Sequence, residues 1–209
     1  MSLVTIAASY GAGGSRVAPA LARRLDVPFL ERPSVPDAPA DDEARACDER
    51  LSSGGLLSKI ASMAVAWGTP AGMTAEELLP DEARRRELEL ELHDFAASGR
   101  GVILGRGAAV LLGGHAHALH VFLDGPEEAR LEQAMTIEGI DRETAASRLS
   151  RLDRFRRAYL EGLYGVDPRD PGVFHLIIDS TAIPLDGCVE IIAEAARRTA
   201  APHAARDAR

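Results

Sequence analysis

The sequence predicts an α/β fold of three layers, with helices on both faces of a parallel sheet. Three observations carry that reading. Residues 3–8 form a short apolar run rich in β-branched side chains, and it leads through Gly11, Gly13 and Gly14 into Val17, Ala18, Leu21, Ala22 and Leu25, which recur at helical spacing. Further short apolar runs at 102–104, 119–123 and 174–178 alternate with segments of helical period. Continuous apolar runs of this length suit strands buried on both faces, and strands separated by helices pair in parallel through right-handed crossovers. The chain has 209 residues, enough for one domain that buries roughly 70% of its unfolded surface.

Residues 27–30 read as a short second strand. Residues 31–50 are polar and proline-rich, with an acidic cluster at Asp41, Asp42 and Glu43, and read as a loop opening a helical insertion over 31–98. Helical periodicity marks 51–67 and 76–97, separated by a breaker stretch at 68–73. The strand at 102–104 ends in Gly105-Arg106-Gly107, and that at 119–123 in Asp124-Gly125-Pro126. Pro126 suits the first turn of a helix over 127–138, and Asp124 reads as an N-cap-like residue for it. The last helix spans about 185–198. The expected domain is 1–199, with 200–209 a frayed tail and no internal repeat.

The formal net charge is −8, which argues against broad nucleic-acid binding and requires local positive groups for any anionic ligand. No apolar run approaches the roughly 20 residues of a membrane span, and the first residues lack the basic start of a signal peptide, so the cytoplasm is the expected location. Cys47 and Cys188 stand apart and outside any Cys/His pattern, which predicts free thiols. His115, His117 and His120 flank an apolar strand at spacings that do not converge on one metal ion, so no metal site is expected from them.

The stretch Gly11-Ala12-Gly13-Gly14-Ser15 lies between a buried strand and a helix, the setting in which backbone N–H groups cradle phosphate. Against the pattern G-x-x-x-x-G-K-[ST], residues 8–15 place Gly14 where lysine belongs. That lysine follows charge onto the transferred phosphate, so another cation must replace it, and Arg16 is nearest. A dinucleotide loop fits less well, because G-x-G-x-x-G fails at Arg16.

Residues 6–29, from Ile6 through the Tyr10-Gly11-Ala12-Gly13-Gly14 loop to Phe29, resemble the opening signature of the cytidylate-kinase-like family, whose loop itself lacks the lysine. Residues 102–108 resemble its strand and G-R-G element, and Asp153-Arg154-Phe155-Arg156-Arg157-Ala158-Tyr159 resembles its basic lid, D-x-x-R-x-x-Y. Asp170-Pro171 and residues 175–180 resemble its closing strand. The chain departs from that pattern at Ala7-Ala8, Arg16, His175 and Asp179. The resemblance implies a P-loop, nucleoside-monophosphate-kinase-like fold, ATP and Mg²⁺ as cofactors, a CMP- or dCMP-like acceptor, and a lid over 141–172.

Phosphoryl transfer rests on positioning and on cations, and an arginine fork suits phosphate oxygens. Gly11, Ala12, Gly13, Gly14 and Ser15 are therefore expected at the donor phosphates. Arg106, at the C-terminal edge of a buried strand, lies where ligands bind in open parallel sheets, and the resemblance implies an acceptor-side role for it, with Asp153 and Tyr159 also expected at the substrate. Arg151, Arg154 and Arg157 recur every three residues, so they share a helix face; Arg154, Arg156 and Arg157, with Arg16, are the expected catalytic cations. Asp153 is placed to orient Arg156 or Arg157, and Tyr10, Trp67 and Tyr159 are the aromatics available for base stacking. The alternatives are the same fold retained as a nucleotide- or partner-binding module without transfer, and a kinase for another small acceptor chosen by residues 31–98. Nothing in the sequence specifies an oligomeric state.

Overall fold

The structure, a computed structural model, describes residues 3–30, 82–105, 107–115, 117–167 and 169–199. In chain order the described elements are β1 (Leu3–Ala8), α1 (Gly14–Leu25), β2 (Phe29–Leu30), α2 (Glu82–Ala97), β3 (Gly101–Leu104) and α3 (Ala108–Leu111). β4 (Ala118–Asp124), α4 (Glu127–Glu138), α5 (Arg142–Tyr164), a 3₁₀ turn (Pro171–Val173), β5 (Leu176–Asp179) and α6 (Leu185–Thr199) follow.

The sheet is parallel at every junction, in the order β2-β3-β1-β4-β5. β1 is therefore central, with Leu3 beside Gly101 on one flank and Ala118 on the other. Because successive strand side chains face opposite ways, β1 serves two cores. Val4, Ile6 and Ala8 pack with Val17, Ala18 and Leu21 of α1 and Val189, Ile192 and Ala193 of α6. On the other face Leu3 and Ile103 pack with Leu92 and Ala96 of α2 and Ala108 of α3. These are the three predicted layers. Each large side chain so enclosed contributes about 1.5–3 kcal/mol from removal of apolar surface.

The expected helices over 127–138 and 185–198 form with nearly those bounds. β5 starts later than expected, at Leu176. Asp170 accepts a hydrogen bond from Gly172 N at 2.8 Å and caps a tight turn on Pro171, and the His175 N–H then reaches the His120 carbonyl at 2.8 Å, so the chain joins the sheet only after the turn is complete. Pro126 sits at the N-cap of α4, but Asp124 does not cap that helix; buried Arg130 stands beside its carboxylate instead. The insertion expected over 31–98 lies outside the described residues except for α2, and so do the tail at 200–209 and Cys47.

The chain divides into two compact units. One comprises residues 1–32, 92–150 and 169–209 and holds the sheet; the other comprises 33–91 and 151–168.

Candidate functional site

The C-terminal ends of β1 and β4 lie side by side, and the glycine loop rises from them. Ala12 N donates to Ser9 O at 3.0 Å, closing a four-residue turn in which Gly11, third in line, has φ 78°. That is the value a type II turn requires there. It is also a place without room, since a Cβ on Gly11 would stand 2.1 Å from the Arg130 carbonyl oxygen. Gly13 is the N-cap of α1, and Arg16 N and Val17 N turn back onto its carbonyl at 2.9 and 3.0 Å. Among the described residues, no acceptor meets the N–H groups of Gly11, Gly13, Gly14 and Ser15. These amides, at and just before the positive end of a helix dipole, are donors suited to an anion with several oxygens.

Gly14 packs at the foot of this loop, where its missing side chain lets α1 approach β1. The lysine absent from the sequence therefore has no place in this packing.

Behind the loop, Arg130 Nη1 donates to the Tyr10 carbonyl at 2.6 Å and Gln133 Nε2 to the Gly11 carbonyl at 2.9 Å. Ser180 Oγ, at the end of β5, donates to the Ala12 carbonyl at 2.8 Å. The Arg130 side chain is 1% exposed, and its Nε donates to Gly125 O at 3.0 Å while lying 3.4 Å from Asp124 Oδ1. Arg169 approaches the other Asp124 oxygen at 3.8 Å.

On the outer side, Tyr10 OH donates to Glu138 Oε2 at 2.9 Å, and Arg148 Nη1 donates to the same oxygen at 2.7 Å. Partial burial, and next the hydrogen bond to Glu138, push the Tyr10 hydroxyl well above its ordinary range. Tyr10 also packs on the small apolar cluster of Leu131, Ala145 and Leu149, which ties the loop to α4 and the start of α5. Arg16 is exposed in the first turn of α1 and makes a long 3.4 Å contact with the Ile137 carbonyl near the end of α4. Asp179, closing β5, accepts from Thr181 Oγ1 at 2.6 Å and from the backbone of Thr181 and Ala182, and these bonds hold its carboxyl below the ordinary range.

Gly11, Ala12, Gly13, Gly14 and Ser15 thus form one donor-lined turn, with Arg16 close behind it. Asp153, Arg154, Arg156 and Arg157 all fall on α5, in the second compact unit, with Arg154 and Arg157 exposed and one turn apart. Arg106 and the Tyr159 side chain lie outside the described residues, as does Trp67.

Sequence reasoning missed Arg130, Gln133 and Ser180. The legible signal was Arg130, a charged residue in the buried stripe of α4 beside Leu131 and Ala134. An arginine is rarely placed there unless every donor has a partner.

The unpaired amides of Gly11, Gly13, Gly14 and Ser15 are a donor set that fits the oxygens of a polyphosphate. The Ser15 hydroxyl is the loop oxygen that suits Mg²⁺, and beside the loop the buried Asp124 Oδ1, 3.4 Å from Arg130 Nε, accepts no hydrogen bond among the described residues, whereas Asp179 is taken up by N–H and O–H donors. The described residues contain no group of three or more His, Cys, Asp or Glu side chains able to hold a metal. None of the described helices is long and apolar enough to cross a membrane.

The fold recurs in a solved kinase structure. Shikimate kinase from Acinetobacter baumannii superposes with a TM-score of 0.50 at 14% identity over 96% of both chains, a likeness of fold. A cytidylate kinase from Methanopyrus kandleri is 28% identical over 122 residues, 53% of this chain and 63% of that protein. A uronate isomerase from Corynebacterium glutamicum is 27% identical over 120 residues, but the match spans only 23% of that protein. The chain therefore spans less than two thirds of either of these curated relatives. The model of the cytidylate kinase-like family matches residues 3–182, most of the chain, and on that match the chain belongs to the cytidylate kinase-like family.

Proposed function

We infer that the chain transfers the terminal phosphoryl group of ATP to a nucleoside monophosphate, with a CMP- or dCMP-like acceptor. The observation that carries this reading is the set of unpaired amides at Gly11, Gly13, Gly14 and Ser15, at the head of a helix in a member of a kinase family. In the transfer an acceptor phosphate oxygen bonds to the γ-phosphorus as the bond to the β–γ bridging oxygen breaks, and ADP leaves. The loop holds the donor phosphates. Arg154, Arg156 and Arg157, with Arg16, supply the positive charge that neutralises the transferred group, the role the missing lysine fills elsewhere. Arg106, Asp153 and Tyr159 serve the acceptor. Mg²⁺, when bound with the nucleotide, adds charge neutralisation at the phosphates, with the Ser15 hydroxyl as its contact on the loop.

A second reading has its own support. The close packing of Gly14 excludes the lysine by construction, which suits a nucleotide-binding module in which transfer has been lost. A thermal-shift titration with ATP–Mg²⁺, then with each nucleoside monophosphate, on wild type and Arg154→Ala, separates the two. Stabilisation by ATP that weakens in the variant, a further shift with CMP, and ADP formation in a coupled assay support the kinase. Stabilisation by ATP with no ADP formed on any acceptor supports the module, and no response to any nucleotide removes both.

A further inference from the structure

We propose that Arg130, Gln133 and Ser180 are positioning residues that hold the loop amides ready for phosphate before any ligand arrives. The inference rests on reading the loop as a phosphate cradle and concerns what aims it. A trans peptide is planar, so the carbonyl of one residue and the N–H of the next point in opposite directions. Fixing the carbonyls of Tyr10 and Ala12 from behind therefore fixes the N–H groups of Gly11 and Gly13 to the front. The peptide between Tyr10 and Gly11 is the central one of the turn, and its rotation converts a type II turn into a type I turn with that amide reversed. Arg130, at 2.6 Å from the Tyr10 carbonyl, opposes that rotation.

Gln133 acts on the next peptide. Its bond to the Gly11 carbonyl leaves the Ala12 N–H on Ser9, which keeps the turn closed. Ser180, itself buried, completes the series on Ala12. Three side chains from α4 and the end of β5 thus grip three successive carbonyls. This accounts for a buried arginine whose donors are directed at backbone oxygens as well as at a carboxylate. A cradle without a lysine relies on its amides, and amides aimed in advance need no rearrangement on binding.

The test uses inorganic tripolyphosphate as probe, on the full chain, with isothermal calorimetry for affinity and isotope-edited NMR of the glycine amides. Gln133→Met keeps the side-chain volume and removes the donor at a partly exposed site; Ser180→Ala removes the second donor, and circular dichroism establishes that each variant is folded. In wild type, tripolyphosphate is expected to move the Gly11 and Gly13 amide resonances downfield. In folded Gln133→Met the affinity falls about tenfold and those shifts shrink, with Ser180→Ala behaving alike. A folded Gln133→Met with wild-type affinity and wild-type amide shifts overturns the proposal and leaves the phosphate reading standing. A wild-type chain whose glycine amides ignore tripolyphosphate removes the phosphate reading, and this proposal with it. Gln133→Met decides the matter if Ser180→Ala does not fold.

Discussion

Gly14 and Ala8 are packed so tightly that a Cβ on Gly14 would lie 2.6 Å from the Ala8 Cβ. Real Cβ atoms do not approach so closely, and neither atom belongs to a flexible tail. Gly14→Ala is therefore expected to lower stability by about 1–3 kcal/mol, the usual cost of overpacking a core. Ala8→Gly in the same chain returns part of that loss, and the coupling is read from urea unfolding of the two single variants and the double one. Gly14→Lys gives no gain in phosphotransfer, because the substitution displaces the helix that carries the amides.

The Tyr10–Glu138–Arg148 contact leads to a second expectation. Two donors share one carboxylate oxygen at the edge of an apolar cluster, in a setting still partly open to water. Charge-assisted bonds of this kind stabilise by about 1.5–3 kcal/mol when enclosed, and solvent screening here reduces that to about 1 kcal/mol. Glu138→Ala should cost about that amount in denaturant unfolding, and Tyr10→Phe less, since Arg148 keeps its partner.

The pH dependence of stability follows from His120. Its ring is 1% exposed, bonds Thr5 Oγ1 through Nδ1 at 2.8 Å, and stacks on His175 with centroids 4.9 Å apart. Burial, followed by the neighbouring His175, lowers its pKa from 6.5 to about 4. Between those values the unfolded chain binds a proton that the folded chain refuses, so stability is present above pH 6.5 and is lost as pH falls towards 4. The loss is on the order of 2–3 kcal/mol. Chemical denaturation across that range should show the slope, and His120→Gln should flatten it.

On the reading proposed above, Arg154→Ala and Arg157→Ala each weaken ATP–Mg²⁺ binding about tenfold, equivalent to about 1.4 kcal/mol. Arg197→Ala, an exposed arginine near the end of α6 paired with Glu194, leaves it unchanged. Calorimetric titration distinguishes a specific lid from general surface charge. Equal losses in all three variants, or none in any, would remove the lid role.

The order of elements was legible because it rests on periodicity. The run 3–8, the alternation of strands with helices and the α4 stripe are patterns that burial on a sheet imposes on any sequence. The five glycine-loop residues were legible for a related reason, since Gly11 tolerates a positive φ and a contact that other residues do not. What stayed hidden is long-range. The pairing of Ser180 with Ala12, and of Gln133 with Gly11, joins residues more than a hundred positions apart, and no local pattern encodes them. The displacement of β5 was hidden in a different way: Asp170-Pro171 was legible as a motif, but the hydrogen bond that makes it a tight turn is a matter of geometry. Asp124 misled because its place before a helix invites capping, whereas the buried charge of Arg130 is a stronger claim on a carboxylate.

The central position of β1 has a consequence for biosynthesis. Its first residue, Leu3, finds neighbours in Gly101 and Ala118, so the strand leaves the ribosome long before anything it pairs with has been made. At 5–20 residues per second this interval lasts roughly 5–20 s. For that time an apolar segment with both edges open is exposed to the crowded cell, the condition in which unpaired strands are prone to aggregate.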